Sequence, residues 1–214
     1  VGWEMCIRDR ERAMSDHAAA IRGLPRWHPN PYIRSSIETI RRDGWQVTAV
    51  DTVCACNSVD CSRPDCAFAY TAGLTLHGIP ELAVYGLPSN TSRALLDELA
   101  GLLHQHDWRT LVHSHTEVTS RTMAAPVRLI EAIDTDDMLM ANLLFADSPA
   151  LQVVWPDDNG HYPWQDEYTL LPLHQPLKGI EDPTAGYRRT LRVITTERGP
   201  DRALPRTARR MKGQ

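Results

Sequence analysis

Apolar residues recur at helical spacing in three segments of the chain. Three isoleucines at i, i+4 and i+7 predict a helix over 31–43, which begins after Asn30 and ends at Gly44. Five leucines predict a second helix over 89–103. A third is predicted from Thr135, and we expect its apolar face to join the core. That face consists of Leu139, Met140, Leu143 and Leu144.

Short apolar runs bounded by turn residues predict strands. These runs span 45–50, 68–74, 81–87, 109–115, 127–132, 151–155 and 190–195. Because a short connection joins 68–74 to 81–87, we expect these two strands to be antiparallel neighbours. Strands cluster and helices are few. The predicted fold class is therefore α+β, with a mixed, mainly antiparallel central sheet and two or three packed helices.

Composition divides the chain into three parts. We expect 1–29 to be a poorly ordered extension, 30–196 a single α+β domain and 197–214 a disordered tail. The tail carries six basic and two acidic residues and almost no large apolar residue, which is typical of disorder. The opening VGWEMCIRDR fits no element that follows, so we interpret 1–10 as non-native and place the natural start near Met14.

Charge and hydropathy limit the classes of partner. A net charge of −4 and a pI of about 6.1 argue against general affinity for nucleic acid, which needs a basic surface. No apolar run has the length of a membrane span, and the opening lacks the apolar region of a signal peptide. We expect a cytoplasmic protein whose thiols are reduced and whose partner is a small molecule or a protein. No nucleotide-cofactor motif is present in the sequence.

Four cysteines within thirteen residues follow the spacing C-x-C-x4-C-x4-C. Four thiolates in one loop would hold a structural zinc ion tetrahedrally, with no open position for chemistry. Free thiols and redox pairs are the alternatives, because the spacing is not that of a standard zinc knuckle. The candidate ligands are Cys54, Cys56, Cys61 and Cys66.

Histidines form a second cluster near the end of the 89–103 helix. His104 and His106 lie where the helix dipole favours them, and His113 and His115 would share one face of the predicted 109–115 strand. A metal site would need a third ligand, and the sequence offers no clear one. Their role stays open.

Seven polar or aromatic residues at the ends of the predicted strands are candidates for one ligand pocket. Tryptophan rings beside carboxylates and an amide suit a planar ligand with a polar edge. The residues are Tyr70, Thr71, Glu81, Gln152, Trp155, Asp157 and Trp164. The alternative is structural, because buried polar groups usually satisfy one another within the fold.

Two segments of the chain resemble a known family. The first comprises FAYTAGL at 68–74, GIPEL at 78–82 and GLP at 86–88; the second is LQVVWPD at 151–157, with Gly160 and Pro163–Trp164. Together with QPL at 175–177, they are similar to the bacterial family called domain of unknown function 4262. The resemblance covers about 44–179. It implies no activity, and the cysteine-rich stretch departs from the family pattern.

The leading hypothesis is therefore a small-molecule or protein binding domain with a cysteine-rich, zinc-stapled loop. The alternative is an enzyme that uses Glu81 or Asp157 as acid or base in a tryptophan-lined pocket. A perturbed carboxylate in a concave site would favour the enzyme. An exposed apolar surface would favour the interaction domain.

Overall fold

A computed structural model describes residues 17–50, 67–179 and 181, together with the backbone of 190–192. The four clustered cysteines and the predicted 197–214 tail lie outside these residues, as does most of the predicted N-terminal extension. Within the described part, no helix is long and apolar enough to cross a membrane.

The chain has an α+β fold with a mixed, mostly antiparallel central sheet, as predicted. The strands are β1 (Gln46–Val50), β2 (Phe68–Ala72), β3 (Glu81–Tyr85), β4 (Glu117–Thr119), β5 (Arg128–Glu131), β6 (Ala150–Val154) and β7 (Thr190–Arg192). Five of them form the central sheet, in the order β1-β2-β3-β6-β5. β6 runs parallel to β3, and the other neighbours are antiparallel. β4 and β7 form a separate parallel pair.

The helices cover both faces of the central sheet. They are α1 (Pro31–Asp43), α2 (Ser89–Leu103), α3 (Trp108–His113) and α4 (Leu139–Leu144). The leucines of α2 and Leu111 of α3 pack with Val47, Leu82 and Leu151 on one face, which we call the α2 face. The isoleucines of α1 and two residues of α4 pack on the other, which we call the α1 face. The sheet is therefore buried on both sides.

The first helix forms as the sequence predicts. The side chain of Asn30 caps α1 by accepting a hydrogen bond from the Tyr32 backbone N–H (2.9 Å), and Pro31 starts the helix. Gly44 ends it at a φ of +98°, which favours glycine. The three isoleucines on its inner side are buried.

The segment predicted as a strand over 109–115 is instead helical, and that prediction was wrong. Asp107 caps α3 by accepting from the Arg109 backbone N–H (3.2 Å), and Leu111 is the buried residue of this one-and-a-half-turn helix. The apolar residues Leu111 and Val112 are adjacent, so the segment has no strict two-residue alternation. The local capping signal therefore outweighs the short strand-like pattern.

The third predicted helix is present, but it starts later and faces differently from the prediction. α4 begins at Leu139 rather than after Thr135, because Asp134 accepts from the Asp136 backbone N–H (3.1 Å) and forms a turn there. Met140 and Ala141 are buried, whereas Leu139 and Leu143 are 73% and 58% exposed. Half of the predicted apolar face therefore points away from the core.

Candidate functional site

Glu81 and Thr71, two of the seven predicted pocket residues, close the connection between β2 and β3. Glu81 is fully buried and accepts from the Thr71 hydroxyl (2.7 Å) and from the backbone N–H groups of Gly73 (2.8 Å) and Thr75 (3.0 Å). Thr71 in turn accepts from the Leu82 backbone N–H (2.8 Å). Where β2 and β3 separate, the Glu81 carboxylate thus accepts hydrogen bonds from backbone N–H groups that have no neighbouring strand to bond to.

Tyr70 lies on the opposite face of β2 from Thr71. Its ring belongs to the cluster on the α1 face, and its hydroxyl accepts from the Met140 backbone N–H at 3.0 Å. Burial raises the pKa of this hydroxyl above its ordinary value. Tyr70 therefore anchors the start of α4 to the sheet.

Gln152 and Trp155 hold the segment from 175 to 178 against the sheet. Gln152 is fully buried, donates to Pro176 O (2.8 Å) and accepts from the Lys178 backbone N–H (2.6 Å). The Trp155 backbone N–H donates to the buried Gln175 side chain (2.9 Å), which donates back to Trp155 O (2.8 Å). Both interior amides are therefore occupied by the backbone of other segments.

The indole of Trp155 lies at the opposite end of the sheet from Glu81. Its N–H donates to Tyr85 O at 2.8 Å. Glu81 pairs with Ala150 in the parallel β3–β6 ladder, and Trp155 lies five residues after Ala150 in the direction of β6. At about 3.3 Å per residue, the distance from Ala150 to Trp155 along the strand is roughly 16 Å.

Asp157 organises the turn after β6. One carboxylate oxygen accepts from the backbone N–H groups of Asn159 (3.0 Å) and His161 (2.9 Å), and the other accepts from the N–H (2.9 Å) and hydroxyl (2.7 Å) of Thr169. Burial alone would raise the pKa of Asp157. The Thr169 hydroxyl and the backbone donors outweigh it and lower the pKa to about 2.

Trp164 takes part in an ion cluster that the sequence prediction missed. Its ring stacks on Tyr162 (5.1 Å between centroids), and the Arg128 guanidinium lies over both rings, 4.8 Å from Tyr162 and 5.6 Å from Trp164. Arg128 pairs with Glu181 and, at 3.5 Å, with Glu117. The sequence signal for this cluster is Arg128 in the predicted strand 127–132, because an arginine that is buried in a strand needs a charged partner.

The seven predicted residues thus form separate groups rather than one cluster around a shared space. Glu81 and Thr71 lie at one end of the sheet, and Gln152, Trp155 and Asp157 contact the chain from 159 to 178. Tyr70 contacts α4, and Trp164 contacts the β5 edge. In each group the polar atoms described above bond to neighbouring parts of the chain.

The four histidines have different surroundings and do not form one cluster. His104 Nδ1 donates to Ala100 O (2.8 Å) and His113 Nδ1 to Arg109 O (2.7 Å), each one helical turn back. His106 is exposed, and His115 Nδ1 lies 3.3 Å from Glu181. In the described ranges, no three His, Cys, Asp or Glu side chains are arranged to hold a metal ion. The predicted cysteine site lies outside those ranges.

The connection from β5 to β6 exposes apolar side chains. Ile133 is 71% exposed, and Leu139 and Leu143 occupy successive turns of α4. Residues four apart on a helix lie on the same side, about 5–6 Å apart at Cβ. We call Ile133, Leu139 and Leu143 the α4 surface. The helical spacing of Leu139 and Leu143 is visible in the sequence, but spacing alone predicts that both residues are buried.

The α4 surface is firmly attached to the domain. The Ile133 and Asp134 backbone N–H groups both donate to Lys178 O (2.7 and 3.0 Å). The Lys178 ammonium pairs with Asp134 (2.7 Å) and Asp137 (3.0 Å), and these two carboxylates raise its pKa above the ordinary value. The surface is therefore preformed.

No curated protein and no solved structure matches this chain. A family model, described as Domain of unknown function (DUF4262), matches residues 39–169, which is more than half of the chain. The matched region contains β1 to β6, the last five residues of α1 and the other three helices, whereas the closing QPL segment follows it. The chain therefore belongs to the DUF4262 family.

Proposed function

We propose that this protein is an interaction domain that binds another protein through the α4 surface. The observation that supports the proposal is the outward position of Leu139 and Leu143, 73% and 58% exposed, together with the 71% exposed Ile133 in the connection that leads to α4. Apolar side chains grouped on one surface mark binding sites more often than scattered ones do. Leucines on successive turns also resemble the contact pattern of helix-mediated recognition.

The rigidity of α4 supports the same function. Tyr70 bonds to the Met140 backbone, the Asn142 side chain donates to Thr135 O (2.7 Å), and Lys178 joins the preceding turn to the 175–179 segment. A preformed surface loses less conformational entropy on binding than a flexible one. The exposed leucines are thus presented without ordering a loop.

The alternative enzyme hypothesis has less support. Both oxygens of Glu81 and both oxygens of Asp157 accept hydrogen bonds from the turns that surround them. A general acid or base needs a free position facing the substrate.

A peptide selection tests the proposed interaction. A random peptide library is selected on the wild-type domain, and the affinity of the enriched peptides is measured for a double variant, Leu139→Glu with Leu143→Glu. We expect peptides rich in aliphatic and aromatic residues, and a loss of affinity of at least about tenfold in the variant, as for contacts at the centre of an interface.

The matched control is Gln105→Glu, which adds a negative charge at the end of α2 on the other face of the sheet. It should leave peptide affinity within about twofold. All substituted side chains are exposed, so each change should alter the free energy of unfolding by less than about 0.5 kcal/mol. Peptides that bind the double variant and the wild type equally would contradict the proposal.

A further inference from the structure

A cleft opens at the end of the sheet where β6 starts and β5 ends, beside α3. Its volume is about 170 Å³. Its walls are mainly apolar and include Pro80, Trp108, Pro149 and Leu151, with Glu131 as the one charged residue that lines it. An apolar cavity of about 150 Å³ is large enough for benzene, so the cleft has room for one small ring.

The strand register places the Glu131 side chain inside this cleft. Glu131 is the direct partner of Leu151 in the antiparallel β5–β6 ladder. Directly opposed residues project to the same face, with Cβ atoms about 4.5–5.5 Å apart. Leu151 belongs to the cluster on the α2 face, and Trp108 packs against that cluster. Glu131 therefore projects toward the side on which Trp108 lies.

Two lining residues of the cleft, Glu131 and Trp108, have a polar side-chain group without a partner among the described residues. Glu131 is exposed and forms no ion pair or side-chain hydrogen bond there, unlike Glu98, Glu117 and Glu181. The Trp108 indole N–H is buried without an acceptor. Arg109 lies over the Trp108 ring at 4.4 Å but does not line the cleft. The cleft thus combines apolar walls with one unpaired negative charge.

We propose that this cleft binds a small primary amine with an apolar body about the size of a benzene ring. The ammonium group would pair with Glu131, and the ring would lie against Pro80, Pro149 and Leu151. A neutral or anionic molecule of the same shape would gain the apolar contacts but not the charge-assisted hydrogen bond. None of the three residues of the α4 surface lines this cleft.

Nuclear magnetic resonance titration of the full chain with three probes tests the site. The probes are benzylamine, benzyl alcohol and benzoate, each up to about 20 mM, the affinity range expected of a molecule with so few atoms. The readout is the indole N–H resonance of Trp108, assigned from its loss in Trp108→Phe. We expect benzylamine to shift it and to bind about two- to fivefold more tightly than benzyl alcohol, with benzoate weakest.

Two variants show whether the charge of Glu131 is responsible. Glu131→Gln should reduce benzylamine affinity to that of benzyl alcohol and leave benzyl alcohol unchanged. Glu38→Gln, at an exposed glutamate of α1 on the other face of the sheet, should alter neither. Equal binding of amine and alcohol, unchanged amine binding in Glu131→Gln, or a Trp108 resonance that no probe shifts would each overturn the proposal.

Discussion

At the scale of single residues, buried polar side chains join parts of the chain that are distant in sequence. Gln152 binds the backbone of Pro176 and Lys178, and Gln175 binds the backbone of Trp155. Each amide uses its donor and its acceptor, so it specifies one arrangement of the two segments in a way that an apolar side chain would not. Glu81 and Asp157 accept hydrogen bonds from backbone N–H groups of nearby turns and specify the conformation of those turns.

Glu81 provides the first test of these contacts. In Glu81→Gln one carboxylate oxygen becomes an NH₂ group, which cannot accept from Thr71, Gly73 or Thr75. We expect the free energy of unfolding to fall by about 1–3 kcal/mol, because a buried donor loses its acceptor. Urea denaturation measures it. The exposed Glu38→Gln is the control, and equal stability of the two variants would refute the structural role of Glu81.

Asp157 provides a pH-dependent test. Its folded-state pKa of about 2 lies below the ordinary value near 4, so its contribution to stability is complete above pH 4 and is lost as the pH falls toward 2. Asp157→Asn should lower the melting temperature by several degrees at pH 7 relative to wild type. That difference should shrink between pH 4 and pH 2.

The exposed neighbour Asp158 is the control for this experiment. Asp158→Asn should differ little from wild type at either pH, because its carboxylate is exposed to solvent. A stability difference for Asp157→Asn that is the same at pH 7 and pH 2.5 would contradict the hydrogen-bonded, ionised carboxylate described above.

At the scale of elements, the segment around His174, which we call the 170s segment, lies close to the end of β3, and this close approach depends on Gly86. A Cβ at this position would lie 1.8 Å from His174 O and 3.2 Å from the Trp155 ring. Gly86 belongs to the GLP motif that carries the family resemblance. The physical reason for glycine there is therefore contact with a segment almost ninety residues later, together with its φ of +79°.

A pair of glycine substitutions separates the clash from the backbone strain. Gly86→Ala and Gly160→Ala both place alanine at a positive φ, +79° and +87°, but a Cβ at Gly160 meets nothing within 4 Å. Gly160→Ala should cost about 1 kcal/mol of unfolding free energy. Gly86→Ala should cost at least about 2 kcal/mol more. Equal losses in urea denaturation would show that the 170s segment does not pack against β3 as described.

The elements also show where sequence patterns succeed and fail. α1 and α2 are predictable because their apolar periodicity, caps and terminal residues agree. α3 and α4 have only six residues each, so one capping aspartate or one turn decides where they start. For α4 the apolar pattern alone cannot distinguish a buried leucine from an exposed one, because burial depends on what the fold places opposite.

At the scale of the whole molecule, the sheet order could not be read from the sequence. β6 lies between β3 and β5, although it follows β5 in the chain, and it runs parallel to β3. That arrangement depends on long-range contacts such as the burial of Leu82 beside Leu151, which no local pattern encodes. For the same reason, strand-end residues that looked like one pocket in sequence are separated in space.

The cysteine-rich loop remains a prediction from spacing. If Cys54, Cys56, Cys61 and Cys66 hold a structural metal, purified protein should contain about one zinc per chain. Cys54→Ser and Cys66→Ser should lose it, and Cys6→Ser, outside the cluster, should not. Elemental analysis of the folded protein measures this, and folded wild-type protein without zinc would refute the metal site.

Methyl-resonance mapping with a selected peptide shows whether a protein partner contacts the α4 surface. We expect the methyl resonances of Ile133, Leu139 and Leu143 to shift on titration, while those of the exposed Leu171 and Leu173 stay in place. Shifts confined to Leu171 and Leu173, or to the α2 face, would contradict it.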